Sequence, residues 1–158
     1  MIFLKILQPA SIFQSNMILQ RDKPVNIWGE GPNGTLLTVT ICGHTATTII
    51  KDNKWMCVIP PIEACTGKTL VIHADNESIL DIQLSNISVG DIWIAAGQSN
   101  MEYFLCYDEE WEKTKTLPIN PDILMYNCPR LAFKEHHKDI SDSGYWFQEH
   151  NDAWASFS

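Results

Sequence analysis

The sequence predicts a β-sandwich domain of the jelly-roll type over residues 1–88 and the beginning of an α/β domain with a parallel sheet over residues 89–158. Two observations carry this prediction. Short β-type runs separated by turn signals extend from Val25 to about Val89, with almost no helical periodicity. At Gly90 the pattern changes to an apolar strand, a turn and a helix-like stretch, which is typical of an α/β fold. The second part is too short to cover both faces of a doubly wound sheet, so we expect an incomplete domain.

The first domain is predicted from six β-type runs. The run from Thr35 to Ile41 alternates residue by residue, which gives it one apolar face that must pack against a second sheet. Trp28 and Trp55 lie inside such runs, and core packing is favoured over a role as sugar-stacking platforms. The runs are VNIWGE, TLLTVTIC, TATTIIK, WMCVI, TLVIHA and ILDIQL, and the turn signals between them are Pro32-Asn33-Gly34, Asp52-Asn53, Thr66-Gly67 and Asp75-Asn76.

The second domain is predicted from a strand, a helix and a further strand. Residues 91–96, DIWIAA, are almost continuously apolar, which is typical of a strand buried on both faces of a parallel sheet. Residues 101–115 contain no Gly or Pro and predict a helix. Residues 123–126 predict a second short strand, which would complete a βαβ unit, and residues 131–158 predict a loop.

Composition and charge restrict the class of protein. Hydrophobic residues make up 45% of the 158 residues and charged residues 19%, which is typical of a folded soluble protein. The formal net charge of −8 and the lack of a basic cluster argue against a nucleic-acid partner. No stretch approaches the ~20 apolar residues needed to cross a bilayer, and the first residues lack the pattern of a signal peptide, so we expect no membrane contact.

The five cysteines, at positions 42, 57, 65, 106 and 128, include no CxxC pair, and no histidine stands at metal-ligand spacing. We therefore expect neither a zinc site nor a disulfide framework. Scattered cysteines in β-type surroundings are typical of small buried side chains in a reducing compartment, which favours the cytoplasm.

Ser99 stands where the apolar strand gives way to the helix, at the carboxyl edge of the predicted sheet, where open α/β folds bind ligands. Gly97 permits a tight turn, and the first N–H groups of a helix are free to stabilise an oxyanion. Gln98 and Asn100 add amide groups that can hold a carbonyl oxygen or a sugar hydroxyl. The alternative is that Ser99 or Asn100 only caps the helix, and these residues alone favour that interpretation.

The string GDIWIAAGQSNMEY resembles the nucleophile block of the sialate O-acetylesterases and related carbohydrate esterases of the SGNH-type hydrolase superfamily. IFQSNMILQRDKPVNIWGEG before it and NPDILMYNCPR after it extend the likeness. The resemblance implies a flavodoxin-like parallel sheet in the second domain. It also implies that Ser99 is the nucleophile of a serine esterase, which removes O-acetyl groups from sialic acid or other sugars through an acyl-enzyme. Gly97, Gln98 and Asn100 are then the candidate oxyanion and substrate contacts, and neither a metal nor an organic cofactor is implied.

The same family places its catalytic His and the acidic partner late in the chain, in an Asp-x-x-His pattern. None of the five histidines, at positions 44, 73, 136, 137 and 150, stands in that pattern, so none is assigned as the base. We therefore expect an esterase fragment with an acetylated carbohydrate as substrate. Its protein partner is then a second copy of the chain or a complementing C-terminal fragment. The alternative is a non-catalytic module whose β-sandwich binds a carbohydrate or a partner chain, followed by an inactive hydrolase remnant.

Overall fold

The computed structural model describes residues 6–97, 103–118, 120–128 and 144–148. The chain divides into two compact units, Met1–Ile92 and Trp93–Ser158. Among the described residues, the first unit is built from β-strands alone, whereas the second combines a 3-10 helix, one α-helical turn and two strands.

The first unit contains eight strands. They are β1 (Gln8–Pro9), β2 (Ile18–Gln20), β3 (Val25–Glu30), β4 (Leu36–Ile41), β5 (His44–Ile49), β6 (Lys54–Ile59), β7 (Cys65–Ala74) and β8 (Ile82–Gly90). Strands β3 to β8 each overlap one of the six β-type runs, although β7 begins four residues before its run and β8 extends from residue 82 to 90 where the run covers residues 79–84. The prediction of a strand-rich first part is confirmed.

The eight strands form two sheets. β3 lies between β1 and β6 in a three-stranded antiparallel sheet, where Trp28 is opposite Met56 and Gly29 is opposite Trp55. The other sheet has five strands in the order β2-β8-β7-β4-β5. Its strands are antiparallel except for β2 and β8, which pair in parallel. The second sheet is therefore mixed, and its parallel pair joins residues far apart in the sequence.

Alternating burial gives the sheets their apolar faces, as the two-residue period of a strand requires. Trp55 belongs to the core with 4% of its surface exposed, and its Nε1 donates to the carbonyl of Glu30 at 3.2 Å. The core prediction is wrong for Trp28, which is 43% exposed on the other face of β3, edge to face with the ring of Phe13. The largest fully buried side chains are Met17, Ile27, Leu37, Val39, Ile41, Ile50, Ile59, Leu70, Ile72 and Ile87.

Left-handed residues lie at three of the four predicted turns, but the turn prediction is wrong for Thr66-Gly67, which lies inside β7 where its pairing with β8 shifts register. Gly34 has a φ of 83° and Gly67 a φ of 66°, and both Asp52 and Asn53 have positive φ values in the turn before β6. At the fourth turn, Asp75 Oδ1 accepts the N–H of Leu36 at 3.0 Å. Apart from Gly67, these residues lie at strand boundaries, because Gly, Asn and Asp tolerate conformations that β-branched residues avoid.

The second unit differs from the prediction in its strands. Residues 91–97, expected to contain a buried parallel strand, form no strand and are exposed. Instead β9 (Leu124–Asn127) pairs in antiparallel register with β10 (Tyr145–Gln148). The second predicted strand is thus confirmed as β9, one residue from its expected bounds. β10 lies in the tail that the sequence predicts as a loop, where consecutive aromatic residues favour a strand once a partner is available.

The predicted helix over residues 101–115 is broken within its described part. A 3-10 helix at Leu105–Tyr107 and the single turn α1 (Trp111–Thr114) replace it. Between them, the N–H of Asp108 donates to the carbonyl of Leu105, and Asp108 Oδ1 accepts the N–H of Glu110 at 2.8 Å. Such a local side-chain bond competes with helical hydrogen bonding, which explains the interruption.

Candidate active site and the segment that leads to it

Residues at the end of β2 hold the beginning of the segment that leads to the predicted nucleophile. The backbone N–H of Arg21 donates to the carbonyl of Gly90 at 2.9 Å, and Arg21 Nε donates to Asp91 Oδ1 at 2.9 Å. The side-chain oxygen of Gln20 accepts the N–H of Ile92 at 3.1 Å. β2 therefore fixes the backbone from which the chain continues toward Ser99.

Arg21 and Asp91 also attract each other through their opposite charges. Asp91 raises the pKa of Arg21, first through the hydrogen bond and then through its negative charge, and Asp22 adds to the effect from 3.7 Å. The side chains of Arg21 and Asp91 are both largely solvated, so the ion pair adds little to the stability of the fold. Its main effect is to position the backbone at Asp91. Sequence reasoning missed Gln20 and Arg21, since no local pattern links residues about 70 positions apart.

The segment itself is described as far as Gly97. It is irregular and exposed, and Trp93 and Ile94 each have 90% of their surface exposed. Gly97 is exposed too, which leaves its backbone open to approach. Gln98, Ser99 and Asn100 lie outside the described residues, so their catalytic and substrate-binding roles stay predictions.

Aromatic side chains follow the undescribed residues. Tyr103 Oη donates to the carbonyl of Tyr107, and the two rings are 6.0 Å apart. The ring of Phe104 lies 5.7 Å from that of Tyr107. These contacts hold the residues around the 3-10 helix together, and they place an aromatic cluster close in sequence to Ser99.

Two of the five histidines, His44 and His73, lie among the described residues. His73 Nδ1 is 2.8 Å from Asp81 Oδ1, and both side chains are more than half exposed. A carboxylate on Nδ1 is the arrangement that orients a catalytic imidazole, but a base must also reach its nucleophile. His73 is exposed, and the prediction that neither histidine is the base is unchanged.

A polar cavity of about 560 Å³ lies in the first unit, between the loops at residues 33–35 and 75–78. Its amide and carboxylate groups already serve the loops: Asn33 Oδ1 accepts the N–H of Asn53, and Asn76 Oδ1 accepts the N–H of Ser78. These bonds explain why polar residues gather here. The cavity is built by turn-forming side chains, so its lining gives no sign of a ligand site.

Within the described ranges, no group of three or more His, Cys, Asp or Glu side chains lies close enough to hold a metal ion. In the same part of the chain, no helix is sufficiently long and apolar to span a membrane.

Comparison with known proteins finds two related sequences. No family model matches the chain. The sialate O-acetylesterase of Rattus norvegicus is 30% identical over 102 residues, and that of Mus musculus is 31% identical over 103 residues. Each match covers 59% of this chain and 19% of the relative. The chain is therefore similar to part of two sialate O-acetylesterases.

A solved structure supports the fold of the chain. A carbohydrate acetylesterase from Xanthomonas citri superposes with a TM-score of 0.84 and 21% identity, over 96% of this chain and 34% of that one. The fold of the matched part is therefore shared. The chain spans about a fifth of the length of the curated relatives it matches and about a third of the length of its structural neighbour.

Proposed function

We propose that the chain carries the nucleophile segment of a serine esterase that removes O-acetyl groups from sialic acid or another acetylated sugar. The observation that carries this proposal is the similarity to two sialate O-acetylesterases, taken with the string GQSNM at residues 97–101. In this proposal a β-sandwich domain over residues 1–88 precedes the first part of an SGNH-type hydrolase domain.

Each residue of the segment has a distinct role in the proposed reaction. Ser99 Oγ attacks the acetyl carbonyl carbon, the sugar hydroxyl leaves, and water then hydrolyses the acetyl-enzyme. Backbone N–H groups after Ser99 stabilise the oxyanion of each tetrahedral intermediate. Gly97 lets the ester approach the backbone, while the amides of Gln98 and Asn100 hold the carbonyl oxygen or a sugar hydroxyl.

The proposed reaction also needs a base for the Ser99 hydroxyl. None of the five histidines of this chain is assigned that role, so we propose that a complementing C-terminal fragment supplies the imidazole and its acidic partner. Stabilisation of the oxyanion and binding of the substrate still accelerate acyl transfer when the base is lacking, because neither depends on removal of the serine proton. Ser99 is therefore expected to be more reactive than an ordinary serine even in this chain.

A serine-directed fluorophosphonate tests the proposal without requiring turnover. Its phosphoryl oxygen develops the same charge as the acyl oxyanion, so Ser99 should be labelled about a hundredfold faster than a serine that lacks oriented donors. Mass spectrometry of the labelled chain gives both rates in one sample. Ser78, exposed in the loop before β8, is the internal reference.

Two variants serve as controls for the labelling. Ser99→Ala should abolish the fast reaction, whereas Ser78→Ala should leave it unchanged. Equal labelling of Ser99 and Ser78 in the parent chain contradicts an activated hydroxyl and favours the interpretation of Ser99 as a helix cap.

Binding of a carbohydrate by the β-strand unit is the second candidate function, and the position of Trp28 favours it. The indole is 43% exposed and held edge to face by Phe13, with ring centroids 4.6 Å apart. Exposed Asn26 and Glu30 lie on the same face of β3, so polar groups flank an oriented aromatic surface. Such a combination suits a sugar ring, which has an apolar face and a hydroxyl rim.

A titration with an O-acetylated sialoside, followed by tryptophan fluorescence, tests this second function. Trp28→Ala should weaken binding about fivefold or more, because stacking on one aromatic side chain contributes ~1–3 kcal/mol. Trp93→Ala, which removes an exposed indole from the other unit, should leave the affinity unchanged. No response of the parent chain to the sialoside would exclude the binding role.

A further inference from the structure

Cys42 occupies an unusual backbone position in the turn between β4 and β5. Its φ is 51° and that of Gly43 is 78°, so both central residues of the two-residue hairpin are left-handed. Such turns favour Asn, Asp and Gly, because a positive φ brings the Cβ atom of most other residues too close to the backbone. Every other non-glycine residue with positive φ in the described ranges is an Asn or Asp: Asn16, Asp22, Asp52, Asn53 and Asn86.

The side chain at this position meets a second thiol. Cys42 Sγ lies 3.7 Å from Cys65 Sγ, although the two residues are 23 positions apart in the chain. Both residues are partly exposed and both are free thiols. Burial raises the pKa of Cys42 most, and the hydrogen bond with Cys65 raises it further, so the reduced pair is held as a thiol–thiol contact.

We propose that Cys42 and Cys65 are a site of reversible oxidation, forming an intramolecular disulfide on exposure to a low-molecular-weight disulfide such as oxidised glutathione. This inference is independent of the proposed esterase function. One protein thiolate attacks a sulfur of oxidised glutathione, which releases one glutathione thiolate and leaves a mixed disulfide. The second protein thiolate then attacks the protein sulfur of that mixed disulfide and releases the other glutathione. The protein dithiol is oxidised, glutathione is reduced, and the two thiol protons go to the released thiolates.

The remaining cysteines of the first and second units do not offer such a pair in the described structure. Cys57 is buried, its Sγ donates to the carbonyl of Ala46 at 3.8 Å, and burial raises its pKa. Cys106 and Cys128 belong to the second unit. Cys42 and Cys65 are therefore the thiols expected to react with each other.

The disulfide would connect the β4–β5 turn to the first residue of β7. It would close a loop that contains β5 and β6, and β5 is the edge strand of the five-stranded sheet. Closing a loop of this length restricts the unfolded chain and stabilises the folded one. We expect the melting temperature of the oxidised chain to exceed that of the reduced chain by about 5–10 °C.

The test is an equilibration of the whole chain with reduced and oxidised glutathione at a series of ratios. After the mass of any glutathione bound at the other cysteines is subtracted, intact mass should decrease by two hydrogens, and digestion without reductant should yield one peptide pair that links positions 42 and 65. Adding dithiothreitol should restore both the original mass and the lower melting temperature. The double variant Cys106→Ser/Cys128→Ser, which keeps the proposed pair, should behave like the parent.

Removing one partner provides the matched control. Cys42→Asn takes away the thiol while supplying a residue type that the left-handed turn accepts, so the fold is preserved. This variant should give a glutathione adduct at Cys65 in place of the internal disulfide, and it should show no rise in melting temperature on oxidation. The inference is overturned if the parent chain keeps both thiols reduced at ratios that glutathionylate exposed Cys128. It is equally overturned if the disulfide found links other positions.

Discussion

Among single residues, Gly29 illustrates how the core restricts side-chain choice. It lies in the middle strand of the three-stranded sheet, opposite Pro9 on one side and Trp55 on the other. A Cβ at this position would meet the carbonyl oxygen of Gln8, the Cα of Pro9 at 2.7 Å and the Cζ2 of Trp55 at 2.8 Å. Two of these atoms are backbone and cannot move aside without separating the strands.

We predict that Gly29→Ala destabilises the chain by about 3 kcal/mol, because the added methyl group overpacks a site bounded by backbone. Urea denaturation followed by the fluorescence of the chain measures this loss. Gly34→Ala is the matched control: no atom lies within 4 Å of the added Cβ, so only its φ of 83° adds a cost, of about 1 kcal/mol. Equal destabilisation by the two variants would contradict the close packing of Trp55 against Gly29.

The prediction of Ser99 as the nucleophile rests on the similarity of a short sequence motif and not on the arrangement of side chains. GQSNM identified Ser99 because the resemblance supplied its role, while the residues alone favoured a helix cap. Gln20 and Arg21 could not be found in this way, since their importance depends on a parallel strand pair that joins distant parts of the sequence. Trp28 was misassigned because residues inside a strand alternate between its two faces, and period-two patterns do not say which face is covered.

At the scale of secondary structure, the sequence predicted the longer strands well and the shorter ones poorly. β3 to β8 are five or more residues long and are bounded by Gly, Asn and Asp, so their local pattern is sufficient. β1 and β2 have two and three residues, which is too short for any period to emerge. The apolar composition of DIWIAA predicts a strand, but a strand also requires a hydrogen-bonded neighbour.

The contact between β2 and the segment after β8 leads to a prediction at this scale. Gln20→Ala removes the side-chain oxygen that accepts the N–H of Ile92, so hydrogen exchange of that amide should become about fivefold faster. The amides of β7 should be unaffected. Hydrogen exchange measured by NMR at neutral pH gives the rates of the Ile92 amide and of the β7 amides separately.

Gln83→Ala is the control for that measurement, because Gln83 is exposed on β8 and lies outside the contact. It should leave the Ile92 amide as protected as in the parent chain. If Gln20→Ala and Gln83→Ala alter exchange equally, or if neither changes it, Gln20 does not hold the start of the segment.

For the whole molecule, exposed apolar side chains are the most consequential feature. In the described part of the second unit, Trp93 and Ile94 are each 90% exposed and adjacent in sequence. In the first unit Leu80 is 86% exposed, but it stands alone in a loop. Scattered single residues of this kind are normal on protein surfaces, whereas adjacent large ones mark surfaces that bind a partner.

We predict that the chain self-associates weakly through Trp93 and Ile94, at about millimolar concentrations. Burying these two side chains contributes about 4 kcal/mol in each copy, which offsets much of the entropy lost when two chains combine. Sedimentation velocity should therefore show a species larger than the monomer that grows with concentration, and Trp93→Ser/Ile94→Ser should shift it toward the monomer. Leu80→Ser removes a similarly exposed side chain and should leave the distribution unchanged. A parent chain that stays monomeric at all concentrations, or an equal shift with Leu80→Ser, would mean that this pair does not hold copies together.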